Sequence, residues 1–379
     1  MDVKGIFVVL LLVTMVTSTQ AQWELRFSGY AADIAAYQHS SVEGVDDAFV
    51  NLTRLRLRPS YELWENAGIV LEHEADLLLS SRDRRIPISP PHIGNRQAVD
   101  LRWQIIDDGN VGLEHYVDRL YFRQNLSWGS IVAGRQRIQW GTGRVWNPTD
   151  LFNPINPASY DKIEKDGADA VSLKLHFGQF TDAQLVYNIR PTLDSSNYGA
   201  RFRTNYAEYD FSVMGGYFDR RVVLGGDVAG NLLDAGVRAE LVWVGASEKG
   251  YDEYLRYIFG ADYQLTPELY LLFEYLFNGE GVNNPGHYEL LRLYQGEILQ
   301  LNRKYLYLGA VYQLHPLVIG NAGCSINTND GSGFLLLNAT YAWTENSSLI
   351  GGLFLPLGET FDEYWYYPTS LYLRGQWHF

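Results

Sequence analysis

The chain has almost no cysteine, little methionine and no long apolar run outside its first residues. Its single cysteine, Cys324, cannot close an internal disulfide and supplies no thiolate cluster for a metal. The histidines stand singly at positions 39, 73, 92, 115, 176, 287, 315 and 378, a scatter with no zinc-binding or catalytic spacing. No serine lies in a Gly-x-Ser-x-Gly setting, so the usual signature of a serine hydrolase is missing. Positive charge is also short: 30 Lys and Arg against 44 Asp and Glu leave a net charge of −14. That balance argues against a nucleic-acid partner, which demands a basic face. No cofactor or metal is expected, and no enzymatic activity.

The one apolar run is at the start, where Met1-Asp2-Val3-Lys4 leads into Gly5 to Val13 and then into Thr17-Ser18-Thr19-Gln20-Ala21. Spanning lipid as a helix takes roughly 20 apolar residues, and this stretch gives out near Val16. It reads instead as a cleavable secretory signal over 1–21, cut after Ala21, with no cysteine nearby to carry a lipoprotein anchor. Residues 22–379 then form one domain, since alternating segments begin directly and no linker interrupts them.

What the chain does have is 27 Tyr, 10 Trp and 36 Gly, an excess that suits strands with interfacial aromatic girdles and tight turns. Segments of about ten residues alternate apolar and polar, joined by short turns on one side and longer polar links on the other. The long links are 80–114, 141–167 and 279–302, all rich in Pro, Asn and Gly. The strands predicted are 22–36, 47–60, 66–79, 115–126, 130–140, 168–178, 182–190, 197–206, 209–219, 221–231, 235–245, 254–265, 268–278, 303–314, 317–327, 332–343, 347–357 and 369–379. The fold class is therefore all-β: a transmembrane antiparallel up-and-down barrel of about 18 strands with both termini periplasmic. An even count with every long link on one side requires 99–105, which also alternates, to be a hairpin arm rather than a wall strand. Sixteen strands would result if 221–231 and 235–245 lay outside the lipid.

Alternation also assigns faces. Thr53, Leu55 and Leu57 alternate with Arg54, Arg56 and Arg58, and a charge facing hydrocarbon costs roughly 2–4 kcal/mol near the midplane. The three arginines should point inward. On the next strand Ile69, Leu71, Ala75, Leu77 and Leu79 take the lipid side, with His73 an exception, and Glu72, Glu74 and Asp76 look into the lumen. Arg135 and Arg137 extend the inner charge, as do Arg201 and Arg203 if Phe202 faces lipid. Such a wall can select solutes by charge or can be a lattice of paired ions. Both readings are open.

The last segment, Leu371 to Phe379, places Leu371, Leu373, Trp377 and Phe379 on one face. This ending resembles the C-terminal signal by which outer-membrane proteins are recognised for barrel insertion, with Trp377 and Phe379 in the aromatic positions and Arg374 where that signal usually has glycine. The stretch Gly134-Arg135-Gln136, then Trp140-Gly141, then the Asn-Pro steps at 147, 153 and 156 cannot be a plain strand, because proline fixes φ and restricts the residue before it. The Gly141/Gly143 pair lacks the strand-to-helix setting of a phosphate loop. Over 134–178 the chain resembles porin-like outer-membrane proteins of Gram-negative bacteria, a loose group that includes alginate-export-type barrels. The resemblance implies a channel for passive or selective diffusion of small hydrophilic solutes. It also implies a loop at 141–167 that folds inward, with Arg144, Asn147, Asp150, Asn153 and Lys162 as constriction candidates. The alternative is a loop-plugged barrel that binds an exported polysaccharide or a partner protein, its sugar-stacking candidates being Tyr364, Trp365, Tyr366 and Tyr367. Outer-membrane lipid, lipopolysaccharide and the barrel-assembly machinery are the expected partners. The solute and the oligomeric state are not encoded in any of these features.

Overall fold

Period-two alternation is visible in burial along many of the wall strands. On the first, Tyr30, Ala32, Ile34 and Ala36 are buried while Asp33, Ala35 and Tyr37 are exposed. A single closed sheet has one face that can be buried, its inner one, so burial identifies which side chains point inward. A computed structural model describes residues 25–83, 97–152, 164–192, 195–247, 250–294 and 298–379. The proposed leader, Asn153 and Lys162 lie outside the described residues.

Eighteen staves form the wall, each antiparallel to its neighbours. They are β1 Gly29–His39, β2 Ala48–Leu57, β3 Ala67–Ser80, β4 Val111–Leu126, β5 Gly129–Gln136, β6 Ala168–His176, β7 Asp182–Asn188, β8 Asn197–Tyr206 and β9 Tyr209–Phe218. The rest are β10 Arg221–Leu232, β11 Ala235–Val244, β12 Tyr254–Gln264, β13 Leu269–Asn278, β14 Lys304–His315, β15 Val318–Asn327, β16 Gly333–Thr344, β17 Ser347–Leu357 and β18 Thr369–His378. The ring closes where β18 pairs with β1, from Tyr30↔His378 to His39↔Thr369. The count is the 18 predicted; β10 and β11, the two segments a 16-strand reading would have removed, are full members of the wall. The long links follow β3, β5, β13 and β17 and so share one end of the barrel. The opposite end has tight links, among them Ala207-Glu208 and the turn at Leu233, whose backbones take positive φ.

One stave is a composite. Strand β5 was expected to reach Trp140, but it ends at Gln136, after Gly134 with φ 122°. There the chain turns off the wall toward the interior. The edge of β4 that β5 leaves unpaired is taken by a short strand, Arg102–Asp108, which pairs from Arg102↔Tyr116 to Asp108↔Val111. This is the hairpin arm the parity argument required, and it completes the wall rather than adding a nineteenth stave. Its base is tied to β6 by the Ala98 amide donating to Asp169 Oδ2 at 2.7 Å and by Gln97 Nε2 donating to the Gly167 carbonyl at 3.1 Å.

Arg135 rivets this splice. Its guanidinium binds Asp169 through Nε at 2.7 Å and Nη2 at 3.1 Å, and Nη1 donates to the Val117 carbonyl at 2.9 Å. A further bond goes to the Val99 carbonyl. In register Arg135 lies opposite Leu120, which is exposed, and opposite Asp169, which shares a face with exposed Val171. It therefore has outward parity and is buried beneath the arm, which corrects the expectation that it lines the inner wall. Arg137 is corrected too: it lies past the end of β5, is exposed, and donates to Gln139 Oε1 at 2.7 Å.

Candidate functional site

The inner face of β2 to β4 carries the charge ladder. Register sets Arg54 opposite Asp76 and Arg56 opposite Glu74. Arg54 donates to Asp76 through Nε at 2.9 Å and Nη2 at 2.8 Å, and lies 3.0 Å from Glu74. Arg56 meets Glu72 and Glu74 at 2.6 Å each and also Asp118. Arg58, just past the end of β2 and less buried, reaches Glu72 at 3.5 Å and pairs with Glu164. The six ladder residues named from sequence are thus brought together.

Three participants were not legible. Asp118 is the extra residue of a bulge opposite Glu72/His73 and Arg119 follows it, which breaks the alternation that would have assigned them a face. Glu164 arrives from the far end of the link after β5 and bonds Arg119 at 3.1 Å. The carboxylates of Glu72, Asp118 and Glu164 converge within 4.8 Å of one another, with Arg56, Arg58 and Arg119 bound among them. Removing one guanidinium would leave several buried anions uncompensated, at a cost of roughly 3–5 kcal/mol.

The second component is the segment 137–152. Gln136 anchors its start by donating to the Ala170 carbonyl at 2.9 Å and accepting from Ser172 Oγ at 2.7 Å. Ile138, Trp140 and Phe152 then pack against Ala170, Val186, Met214, Phe218, Val223 and Val242, buried residues of β6, β7, β9, β10 and β11. Trp140 Nε1 donates to Gln184 at 2.9 Å, and Arg201 stacks over the indole at 5.9 Å.

Two glutamates fasten the turn of this segment. Glu240 on β11 accepts from the amides of Thr142, Gly143 and Thr149 at 2.5, 2.7 and 3.0 Å and from Thr149 Oγ1 at 2.8 Å. Glu274 on β13 accepts from the amides of Arg144, Val145 and Trp146 at 2.9, 3.2 and 2.6 Å. Each carboxylate satisfies backbone donors that a buried loop could not otherwise pair. Trp146 continues across the inner face to Ile258 and Tyr305 of β12 and β14. The two glycines make this approach possible: a Cβ on Gly141, at φ 88°, would sit 2.7 Å from Glu240 Oε1, and one on Gly143 would collide with the Trp146 carbonyl. Glu240 and Glu274 were not singled out from sequence; their inward parity on strands whose outward face is apolar was the available signal.

Among the constriction candidates, Arg144 is exposed, Asn147 bonds within the segment to the Gly143 carbonyl at 2.9 Å, and Asp150 is buried in an ion pair with Lys165. Arg203 pairs with Asp182 at 2.8 Å, so both it and Arg201 extend the inner ladder around an outward Phe202.

The same end holds a third cluster, made by the links after β13 and β17. Tyr364 and Tyr367 are buried against Phe334 and Phe354, and Trp365 packs edge-on against Phe361 at 5.4 Å. Rings so packed present no face to a sugar, which corrects the assignment of Tyr364 and Tyr367 as stacking platforms. Beside them Glu363 accepts from the Leu301 amide at 3.0 Å, from Asn327 Nδ2 at 2.8 Å and from the Tyr305 hydroxyl at 2.7 Å. Burial pushes its carboxyl up to about 7 despite these donors.

No family model matches the chain, and no curated protein does. Solved structures share its fold. A Pseudomonas aeruginosa protein described as OccD3 (OpdP) superposes with a TM-score of 0.54 at 10% identity, covering 93% of this chain and 91% of that one. Two mutants of the Rhodopseudomonas blastica porin, one double and one triple, are similar as well. Each gives a TM-score of 0.51 at 12% identity, covering 94% of this chain and all of the other. At such identities the likeness establishes a closed β-barrel architecture.

Proposed function

We propose that this chain is an outer-membrane channel for small hydrophilic solutes, in which the segment 137–152 narrows the lumen and the inner charges set size and charge preference. The observation that carries this reading is the fastening of that segment across the interior by Glu240 and Glu274, within a wall that is apolar outside over most of its circumference and carries its ion pairs inside. The Rhodopseudomonas blastica porin mutants among the similar structures favour the same direction. On this reading a signal peptide over 1–21 exports the chain, the termini face the periplasm, and lipid, lipopolysaccharide and the barrel-assembly machinery are its partners. Passage needs no covalent chemistry. The paired ladder at Arg54 to Asp76 then acts as a stiff, nearly neutral wall, while Arg144 and Arg201 leave positive charge beside the path.

The test is conductance in planar bilayers. The wild-type barrel should give discrete steps, and a Glu240→Ala, Glu274→Ala variant that frees the turn should pass roughly twofold more current or become noisy. A folded barrel that passes no ions at any voltage would end the proposal.

A further inference from the structure

The outward face is apolar from β7 to β18 away from the turns, whereas on β1 to β4 it carries Asp33, Asn51, Thr53 and His73. The apolar part is not evenly filled. Two neighbouring rows of cross-strand partners between β12 and β16 hold a trough of about 590 Å³. One row runs Tyr263↔Leu271, Leu271↔Ala310 and Ala310↔Ala322; the other runs Ala261↔Phe273, Phe273↔Leu308, Leu308↔Cys324 and Cys324↔Leu335. Alanine at 261, 310 and 322 forms the floor, and Leu271, Phe273, Leu308 and Leu335 stand beside it as rims.

The trough has a direction. It starts at Ala235, the first residue of β11 after the tight turn at Leu233, and ends at Leu335, the third residue of β16, near the opposite end of that stave. Crossing from β11 to β16 covers roughly 24 Å at about 4.8 Å per strand, and with staves tilted roughly 35–45° the path rises about 15 Å along the barrel axis. Half of a hydrocarbon core of about 30 Å, one leaflet, has that thickness.

The outward side chains here are hydrocarbon apart from the Tyr263 hydroxyl and the Cys324 thiol, so water finds few partners in the trough. It is also far smaller than the roughly 20–30 residues a side that a stable protein interface takes. One acyl chain satisfies both limits. The links that join these staves at the tight-link end carry Asp234, Glu268 and Glu345, all exposed, and no lysine or arginine. An anionic head group is repelled there and an ammonium attracted.

We propose that this trough holds one acyl chain of a phospholipid whose head group carries an ammonium, a phosphatidylethanolamine, with that head group at the tight-link end beside Asp234 and Glu268. The inference rests on the channel reading only in setting the outward face in lipid. To test it, the full chain is placed in vesicles of phosphatidylethanolamine and phosphatidylglycerol, with a diazirine on the acyl chain of one lipid or the other. After photolysis, mass spectrometry maps the adducts. They should concentrate on 261–273 and 308–324, and the ethanolamine lipid should give roughly two- to fivefold the yield of the glycerol one, the range of an exposed charge pair.

Ala310→Phe with Ala322→Phe fills the floor with side chains that suit lipid and should abolish the concentration, whereas Leu185→Phe on β7 should leave it. Asp234→Asn with Glu268→Gln should keep the concentration and erase the head-group preference. Adducts spread evenly over the apolar wall, the mark of annular lipid only, would overturn the proposal. So would equal yields from the two lipids in wild type, or a concentration that survives both phenylalanines. A labelled trough on a barrel that passes no ions would instead strike the channel reading and leave this one standing.

Discussion

At the residue scale the sequence was most informative where electrostatics left one choice. Arg54, Arg56 and Arg58 alternate with apolar residues, so the side they face follows from the cost of placing charge in hydrocarbon. Their partners Asp118 and Glu164 were hidden, the first by a bulge and the second by distance along the chain. Glu363 was equally illegible, because its burial is made by links far apart in sequence. Its carboxyl, near 4.5 when exposed, is raised to about 7 by burial. The folded state therefore binds more protons than the unfolded one between those values. This contribution to stability is complete below about 4.5 and is lost as pH rises through about 7. Thermal unfolding followed from pH 5 to 8, roughly the span of that titration, should show a falling midpoint. Glu363→Gln should flatten the dependence, and an unchanged slope in that variant would count against the assignment.

At the element scale the staves themselves were readable, and so were most of their ends; the exception is the end of β5. Strand β5 keeps its alternation in sequence as far as Trp140, yet the chain leaves the wall after Gln136 because Gly134 adopts a backbone that L side chains rarely take and Trp140 gains a buried site. The tight turns at Ala207-Glu208 and Asp219-Arg220 use positive φ without glycine or asparagine, and there the ends read from sequence, 206/209 and 219/221, agree with the structure to within a residue. The splice of the 97–108 arm into the wall depends on Arg135. Replacing it with leucine takes the guanidinium from Asp169, which keeps only the Ala98 and Val99 amides, and removes a donor from two carbonyls, so roughly 3–5 kcal/mol of local stability should be lost. Limited proteolysis should then cut within 97–108 while the remaining staves stay protected. An arm as resistant as wild type would refute the rivet.

At the scale of the whole molecule the two faces divide the labour. The inner face holds the ion ladder, the fastened segment and the aromatic clusters; the outer one presents leucine, valine and aromatic rings. Leu241 and Glu240 are adjacent in sequence and sit on opposite sides of one sheet thickness, the first exposed and the second buried under the 137–152 turn. In lipid vesicles, Leu241→Arg should lower the free energy of unfolding by about 2–4 kcal/mol, measured by urea titration. A negligible change would show that this wall does not meet hydrocarbon.

What the sequence determined by itself was the barrel: strand count, link parity and the sidedness of most charged residues follow from a period of two, a property of each segment alone. The tertiary structure decided everything that depends on a segment leaving its strand. It took Arg135 and Arg137 off the inner wall, buried Tyr364 and Tyr367, brought Glu240 and Glu274 under the 137–152 turn and gathered polar side chains on the outside of β1 to β4. Alternation assigns a face within one stave, whereas these placements need register between staves and loop packing across the interior, which no single segment carries.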